Sequence, residues 1–406
     1  MNALIRNPLI LPVYVPTFLL SFCRGLIIPI LPFYAKSFDI SYTLVGVILA
    51  AEGIGSILGA LPTSIVINKL GRKNAMILGV LMVAFSVAGL FFAPSVIVVL
   101  LLRLISGVGG SIWNISRHAY LTDVTSPNQR GRALSIFGGV NRIGTFAGPA
   151  VGGILAAAFT LRTPFLAFGA IAIITAIVAA FTVERRDTPV VISSKGHIHH
   201  IAGIFRAHYR ILCTAGVGQL FAQTIRNGRY VFIPLFGADV LGLDVDDVAY
   251  IMSFSGFIDM LVFPVAGVIM DRFGRKFAMI PCFAIQAIGM ACIPFTGNYY
   301  ELLGVTCLIG FGNGIGSGTM MTLGADLAPK ENVGEFLSFW RLIGDGGQMG
   351  APMIVGRIAD MVGLSPAAFV IAGIGLAASG IFLFFVPETL QKPPPQPSPS
   401  QNKHPT

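Results

Sequence analysis

Residues 267–276 read GVIMDRFGRK, and residues 64–73 read SIVINKLGRK. The two segments lie 203 positions apart, and each sits between long apolar runs. The same offset holds farther out. Ala75-Met76-Ile77 falls on Ala278-Met279-Ile280, and Gly107 and Gly109 fall on Gly310 and Gly312. Asp123 falls on Asp326, Leu134-Ser135 on Leu337-Ser338, and Pro149 and Gly153 on Pro352 and Gly356. An unbroken register over five apolar segments marks a duplicated unit. Two homologous bundles with a site between them is a transporter architecture.

The composition says which solvent this unit lives in. Of the 406 residues, 54% are hydrophobic and 11% charged, with a mean hydropathy of +0.80. Soluble domains carry about 25% charged residues, so this chain has too few to cover a wetted surface. A bilayer span needs ~20 mostly apolar residues, and twelve such runs are legible. They cover 9–34, 43–67, 74–93, 95–118, 133–158 and 163–183, then 209–238, 247–270, 277–296, 300–325, 335–360 and 365–386. The predicted fold is an all-α membrane protein with twelve spans in two pseudo-symmetric six-helix bundles. The first bundle covers 1–183 and the second 209–386. A cytoplasmic linker (184–208) joins them, and a Pro/Ser/Gln-rich tail (387–406) is expected to be disordered.

The net charge of +9 would suggest nucleic acid in a soluble protein. Here the charge is topogenic. The loops on the side of both termini gather Arg6, Lys69, Arg72, Lys73, Arg117, Arg130, Arg132, Arg185, Arg186, Lys195, Arg206, Arg210, Arg272, Arg275, Lys276, Lys330, Lys392 and Lys403. The opposite side has Lys36, Arg162 and Arg357. By the positive-inside rule both termini are cytoplasmic, in a multi-pass protein of the cell membrane. The five cysteines lie in apolar stretches without C-x-x-C spacing and read as small buried side chains. His197, His199, His200 and His208 fall in the linker, where a solvated loop explains them better than a metal site. No metal or cofactor is expected, and the first apolar run is too long for a cleavable signal peptide.

The segment Gly267 to Lys276 resembles the G-x-x-x-D-R-x-G-R-K signature of the major facilitator superfamily. Asp271, Arg272 and Arg275 stand in place, whereas the first copy has Ser64 and Asn68 for the Gly and Asp and keeps Gly71, Arg72 and Lys73. Arg103-Leu-Ile-Ser-Gly107-Val-Gly109 is similar to that family's R-x-x-Q-G-x-G. Gly144-Thr-Phe-Ala-Gly148-Pro149-Ala-Val-Gly152-Gly153 resembles the G-x-x-x-G-P-x-x-G-G of its drug:proton antiporters. The resemblance implies alternating access about a cavity lined by spans 1, 4, 7 and 10. Asp271, Arg272, Arg275 and Arg72 would hold the bundles together at their inner ends, and Gly148 and Pro149 would lay span 5 against a neighbour in the opposite half. The run Gly310-Phe-Gly312-Asn-Gly314-Ile-Gly316-Ser-Gly318 is no nucleotide loop, because no strand precedes it. It reads as two packing stripes on span 10.

Charges at membrane depth default to functional hypotheses. Arg24, Arg103, Arg142, Arg226, Arg229 and Arg341 lie there with Glu52, Asp259 and Asp345. At 1.5 Å per residue, Arg142 and Asp259 lie about 15 and 18 Å from the inner face, so an interdomain or gating pair is expected. Glu52 and Arg24 share a similar depth and are expected to pair. Arg341 and Asp345 are one turn apart. Glu52, Asp345 and Arg341 form the proton-coupling set, and Arg103 reads as a buried structural cation. Arg226 and Arg229 flank Asn227-Gly228, which the repeat maps onto Arg24-Gly25. These residues predict a substrate site of Arg24, Arg226, Asn227 and Arg229, net positive and suited to a carboxylate or phosphate.

The expected function is secondary transport of a small organic solute, first as proton-coupled efflux. The alternatives are uptake of an organic anion and a nontransporting membrane sensor. No nucleophile, metal or phosphate-cradle constellation suggests an enzyme. The expected partners are the solute, protons and the bilayer, with no nucleic acid, and the chain is expected to be a monomer.

Overall fold

A computed structural model of the chain describes residues 9–125, 130–184, 197–329 and 333–390. Arg6, Arg185, Arg186, Lys195, Lys330, Lys392, Lys403 and the tail from 391 lie outside the described residues. The side chains of Arg130, Arg132, Arg206 and the four linker histidines lie outside them as well.

A short π-helical turn, Ile10–Tyr14, leads into α1 (Val15–Ile27) and α2 (Ile30–Lys36), which together make the first crossing. Then follow α3 (Tyr42–Gly89), α4 (Val96–Val124), α5 (Arg130–Ala158) and α6 (Thr163–Thr182). The second half holds α7 (His197–Asp239), α8 (Val245–Arg272), α9 (Arg275–Cys292), α10 (Tyr299–Ile315), α11 (Thr319–Leu327), α12 (Val333–Val362) and α13 (Leu364–Phe384). α3 carries two crossings, because Gly71 (φ 75°) breaks it. α10 and α11 form one crossing, broken at Gly316–Gly318, where Gly318 is left-handed (φ 81°). The two stripes expected on a continuous span 10 are therefore interrupted. The second half of the linker is also helical, since α7 begins at His197.

Nine of these segments are long and apolar enough to cross a membrane. The crossings in α5, α7 and α12 are less apolar, and they carry Arg142, Arg226, Arg229, Arg341 and Asp345. The helices that face one another around the centre are those with polar groups to satisfy.

The duplication is visible atom by atom. Gly71 has φ 75° and its equivalent Gly274 has φ 121°, each allowing the sharp turn between two crossings. Leu90–Phe92 and Ile293–Phe295 are matching 3₁₀ turns, and Ser95 and Asn298 are matching N-caps of α4 and α10. A Cβ on Gly107 would strike the Glu52 carbonyl, and one on Gly310 would strike the Ser255 carbonyl, at the equivalent place. Without a hydrophobic driving force in lipid, such backbone approaches supply dispersion contacts between helices. Within each half the same pairs pack: α3 with α4 and α8 with α10, α1 with α5 and α7 with α12, α3 with α6 and α9 with α13. Two seams join the halves, α3 with α12 and α5 with α8.

We term the end with the Gly71 and Gly274 turns the inner end. The seams are tight toward the outer end. Asp360 of α12 accepts hydrogen bonds from the Tyr42 and Thr43 N–H groups (2.9 and 2.8 Å), capping α3 from the opposite half. The Tyr42 hydroxyl donates to Asp239 of α7 at 2.7 Å. Gly46 abuts the Pro352 carbonyl, Gly356 the Tyr42 carbonyl, and Gly153 the Asp246 backbone. Toward the inner end, Gly138, Gly139 and Gly267 have nothing within 4 Å of a built Cβ. The molecule is closed outside and open inside.

Candidate functional site

Between the halves lies a central cavity of about 410 Å³ along the α3–α12 seam. Arg24, Glu52, Ser56, Arg103 and Asn114 reach it from the first half, and Asn227, Tyr230, Arg341, Asp345 and Gln348 from the second. A further cavity of about 360 Å³ runs along the α5–α8 seam and is lined by Asn141, Arg142, Thr145, Asp259 and Asn313. Ile28 and Tyr230 line both and form the partition.

The expected residues assort differently from their predicted pairs. Glu52 is bound by Arg103, not by Arg24, with Nη2 to Oε2 at 2.7 Å. Arg103 is 4% exposed, and its Nε and Nη1 have no hydrogen-bond partner among the described residues. The buried cation of the sequence reading is thus the one that holds the cavity acid. Arg24 lines the cavity and, among the described residues, has no ion-pair or hydrogen-bond partner. Arg341 Nε stands 3.7 Å from Asp345 Oδ2, with side chains 66% and 40% exposed.

Arg226 and Arg229 line neither cavity, which corrects the predicted substrate site. Arg226 turns into the second half and donates to the Gly316 carbonyl at 2.8 Å, over the Phe283 ring at 5.0 Å. That carbonyl is freed by the α10–α11 break, and the Thr319 hydroxyl also donates to it at 2.6 Å. Arg226 therefore repairs a broken helix, a structural role. Arg229 is 5% exposed, donates to the Tyr230 hydroxyl at 2.8 Å and stands 4.0 Å from Asp259. Asn227 does line the central cavity; its amide donates to the Gln223 carbonyl at 3.1 Å.

Arg142 and Asp259 meet across the α5–α8 seam at 3.0 Å, and Asn313 donates to the other Asp259 oxygen at 2.8 Å. Two turns outward, Pro149 interrupts the α5 hydrogen-bond ladder. Ser253 of α8 fills the gap: its hydroxyl accepts from the Ala150 N–H at 2.8 Å and donates to the Phe146 carbonyl at 3.1 Å. Gly148 packs on Gly25 and Phe22 of α1, in its own half, whereas Gly153 is the glycine that faces α8. The expected opposite-half contact of Gly148 is corrected accordingly.

The inner-end motif binds within one half in this conformation. Arg275 donates to Asp271 (3.1 Å), Asp326 (3.1 Å) and the Met270 carbonyl (2.8 Å). The Arg275 and Lys276 N–H groups donate to Glu388 at 2.8 and 3.0 Å. Arg272 lies over Phe273 at 5.7 Å. Arg72 pairs with Asp123, the repeat equivalent of Arg275 with Asp326. The inner ends stand apart in this conformation, and these residues bind within their own halves. Arg117, counted above as a loop cation, is a 6% exposed residue of α4 that donates to Asn114 at 2.9 Å and stacks 4.5 Å from Phe137.

Models of the family described as Major Facilitator Superfamily match residues 13–262 and 215–405, nearly the whole chain in two overlapping pieces. The chain belongs to the Major Facilitator Superfamily. Multidrug resistance protein 2 of Bacillus subtilis is 25% identical over 295 residues, covering 70% of this chain and 72% of that protein. The multi-drug resistance efflux pump PmrA of Streptococcus pneumoniae is 24% identical over 388 residues (92% and 95%). The probable nitrate transporter NarT of Staphylococcus epidermidis is 27% identical over 355 residues (85% and 87%). The crystal structure of a D-xylose-proton symporter superposes with a TM-score of 0.75 at 18% identity, covering 94% of this chain and 98% of that one. The superfamily fold, its multi-pass membrane placement and the similarity to drug antiporters all follow from these matches.

Within this superfamily member, several cavity residues escaped the sequence reading. Asn114, Tyr230, Gln348, Asn141 and Asn313 are uncharged, and a search for intramembrane charge passes over them. Their signal was available: Asn114 lies one turn before Arg117, and Asn313 lies inside the glycine run assigned to packing.

Proposed function

We propose that this protein is a secondary active transporter that exports a small organic solute by alternating access, in exchange for protons. It acts as a monomer in the cell membrane with both termini cytoplasmic. On that orientation the open end faces the cytoplasm, where an exporter collects its load. The similarity to multidrug efflux pumps supports export.

The observation that carries the solute class is Arg24. It reaches the central cavity unpaired, while Glu52 is already held by Arg103 and Arg341 is loosely held. An exposed cavity guanidinium whose neighbouring acid, Glu52, is already held by Arg103 is a receptor for a carboxylate or phosphate. The solute is therefore a small organic anion, seated by Arg24 and Arg341, with Asn114 and Asn227 as hydrogen-bonding neighbours. The apolar wall of Ile27, Leu31, Leu49 and Met349 takes its hydrocarbon part.

Thermal stabilisation of purified protein tests this directly. Benzoate and salicylate should stabilise the wild type, and Arg24→Gln should lose at least tenfold in apparent affinity. Stabilisation by ethidium or tetraphenylphosphonium, with no response to either anion, would overturn the solute class. A second reading, uptake of an organic anion with a proton, is favoured by the same unpaired Arg24 and by the similarity to a probable nitrate transporter. It predicts that an inward proton gradient accumulates benzoate in vesicles with cytoplasmic side inward, where export predicts depletion.

A further inference from the structure

Proton coupling requires that a protonation site change its environment when the halves rock. Glu52, Asp259 and Asp345 are the carboxylates facing the two cavities. Glu52 takes its cation from Arg103 of α4, and α4 is locked to α3 by the approach of Gly107 to the Glu52 backbone. This pair travels as one body. Asp345 has Arg341 one turn away on its own helix, so that pair also travels together. Asp259 differs: beside Arg229 of its own half at 4.0 Å, its closest cation, Arg142 at 3.0 Å, belongs to the other half.

We propose that Asp259 is the proton-carrying carboxylate and that Arg142 is the charge it exchanges for a proton. This rests on the proton-coupled reading above and names its site. In the inward-open state described, the carboxylate is ionised and paired. When the halves rock, α5 carries Arg142 away from α8, and Asp259 takes one proton on a carboxylate oxygen. When the halves return, Arg142 comes back to hydrogen-bonding distance and that proton leaves to the water of the inward-open cavity. One proton crosses per cycle.

The groups that remain around Asp259 do not replace Arg142. Asn313 of α10 is neutral and stays hydrogen-bonded at 2.8 Å. Arg229 of α7 is a longer ion-pair partner at 4.0 Å that also donates to the Tyr230 hydroxyl; it lies in the same half as Asp259 and stays with it when the halves rock, so the cation that is exchanged is Arg142. The Cys282 thiol of α9 is engaged by Arg226 and Gln286. Arg142 itself also lies 4.5 Å over the Phe263 ring. The cavity of about 360 Å³ that both residues line also reaches Gly138, one turn nearer the inner end.

The test needs no knowledge of the solute. Spin labels at Gly139→Cys on α5 and Gly267→Cys on α8, both open positions, report the inner separation by pulsed electron resonance in a background without native cysteines. In ligand-free protein the ratio of inner-open to inner-closed populations should change with pH, by up to about tenfold per pH unit for one linked proton. Asp259→Asn should make the ratio independent of pH. Glu52→Gln and Asp345→Asn should keep the pH response. Arg142→Gln, which keeps the carboxylate, should shift the ratio toward inner-closed at every pH. A monodisperse elution profile for each variant guards against misfolding. A pH response that survives in Asp259→Asn, or vanishes in Glu52→Gln or Asp345→Asn, would overturn the assignment. A wild type that neither responds to pH nor moves protons in vesicles overturns the proton-coupled reading itself.

Discussion

The outer closure depends on one carboxylate more than on any other. Asp360 accepts the first two free N–H groups of α3 at 2.9 and 2.8 Å, and it does so from the opposite half. A helix N-terminus leaves its first N–H groups without intrahelical partners and favours negative charge. Losing such a cap costs about 0.5–2 kcal/mol. These bonds are solvent-facing, and water takes over the N–H groups when the seam opens, so the middle of that range, about 1 kcal/mol, applies to Asp360→Ala. With about 1.4 kcal/mol per factor of ten, the outer-open fraction should rise about fivefold. Asp360→Asn keeps one acceptor oxygen and should rise about half as much on a logarithmic scale. Labels at Phe159→Cys and Tyr300→Cys, 71% and 79% exposed at the outer ends of α5 and α10, would report the outer distance. If Asp360→Ala leaves that distribution within twofold of wild type, the cap does not hold the outer seam and the reasoning is wrong.

Three further outcomes are expected. Gly46→Val drives a side chain into the Pro352 carbonyl of the other half, an overpacking of about 1–3 kcal/mol; the same outer labels should separate, and Gly350→Ala, with open space around it, should not separate them. Arg226→Ala removes a charge-assisted hydrogen bond to a broken helix, worth about 1.5–3 kcal/mol. It should lower the melting midpoint of purified protein, where Arg24→Gln leaves the midpoint unchanged without ligand. Burial alone would raise the pKa of Glu388, but the N–H groups of Leu390, Lys276 and Arg275 hold it below the ordinary 4.5. Its stabilisation is then complete above that value and is lost as pH falls through the lower folded value. The melting midpoint of wild type should drop on acidification below pH 4.5, and Glu388→Gln should flatten that drop.

The sequence carried the fold because its strongest signals are one-dimensional. A constant offset pairs Gly71 with Gly274 and Ser95 with Asn298, and each pair has the same backbone task in both halves. Span positions follow from hydropathy, and helix depth follows from counting residues. Depth arithmetic was enough to bring Arg142 to Asp259. It failed for Glu52, which shares its depth with both Arg24 and Arg103, because the choice between them is rotational. α4 lies against α3 at Gly107 and presents Arg103 directly to the carboxylate. The same limit misplaced Arg226: the break at Gly316–Gly318 creates a carbonyl to be satisfied, and no charge count shows that demand. Arg117 sits at the very end of the 95–118 run and counts there with the loop cations, whereas α4 continues to Val124.

Duplication gives the molecule two equivalent seams, and the charges make them unequal. Asp259 of the α5–α8 seam has Ser56 as its repeat equivalent, and Arg142 has Asp345. The α3–α12 seam therefore places a serine and an aspartate where its counterpart places an aspartate and an arginine, so no cross-half cation closes it at that point. A cavity can open there, and it is the larger one. Arg24 and its equivalent Asn227 both line it, one supplying charge and the other a neutral hydrogen-bonding group. Exchanging the seams' chemistry should exchange their roles. A Ser56→Asp, Asp345→Arg variant rebuilds the ion pair on the α3–α12 seam, and it should shrink the central cavity and weaken benzoate binding by at least tenfold. With Arg24 untouched, unchanged binding would mean that the asymmetry of the seams does not decide where the solute sits.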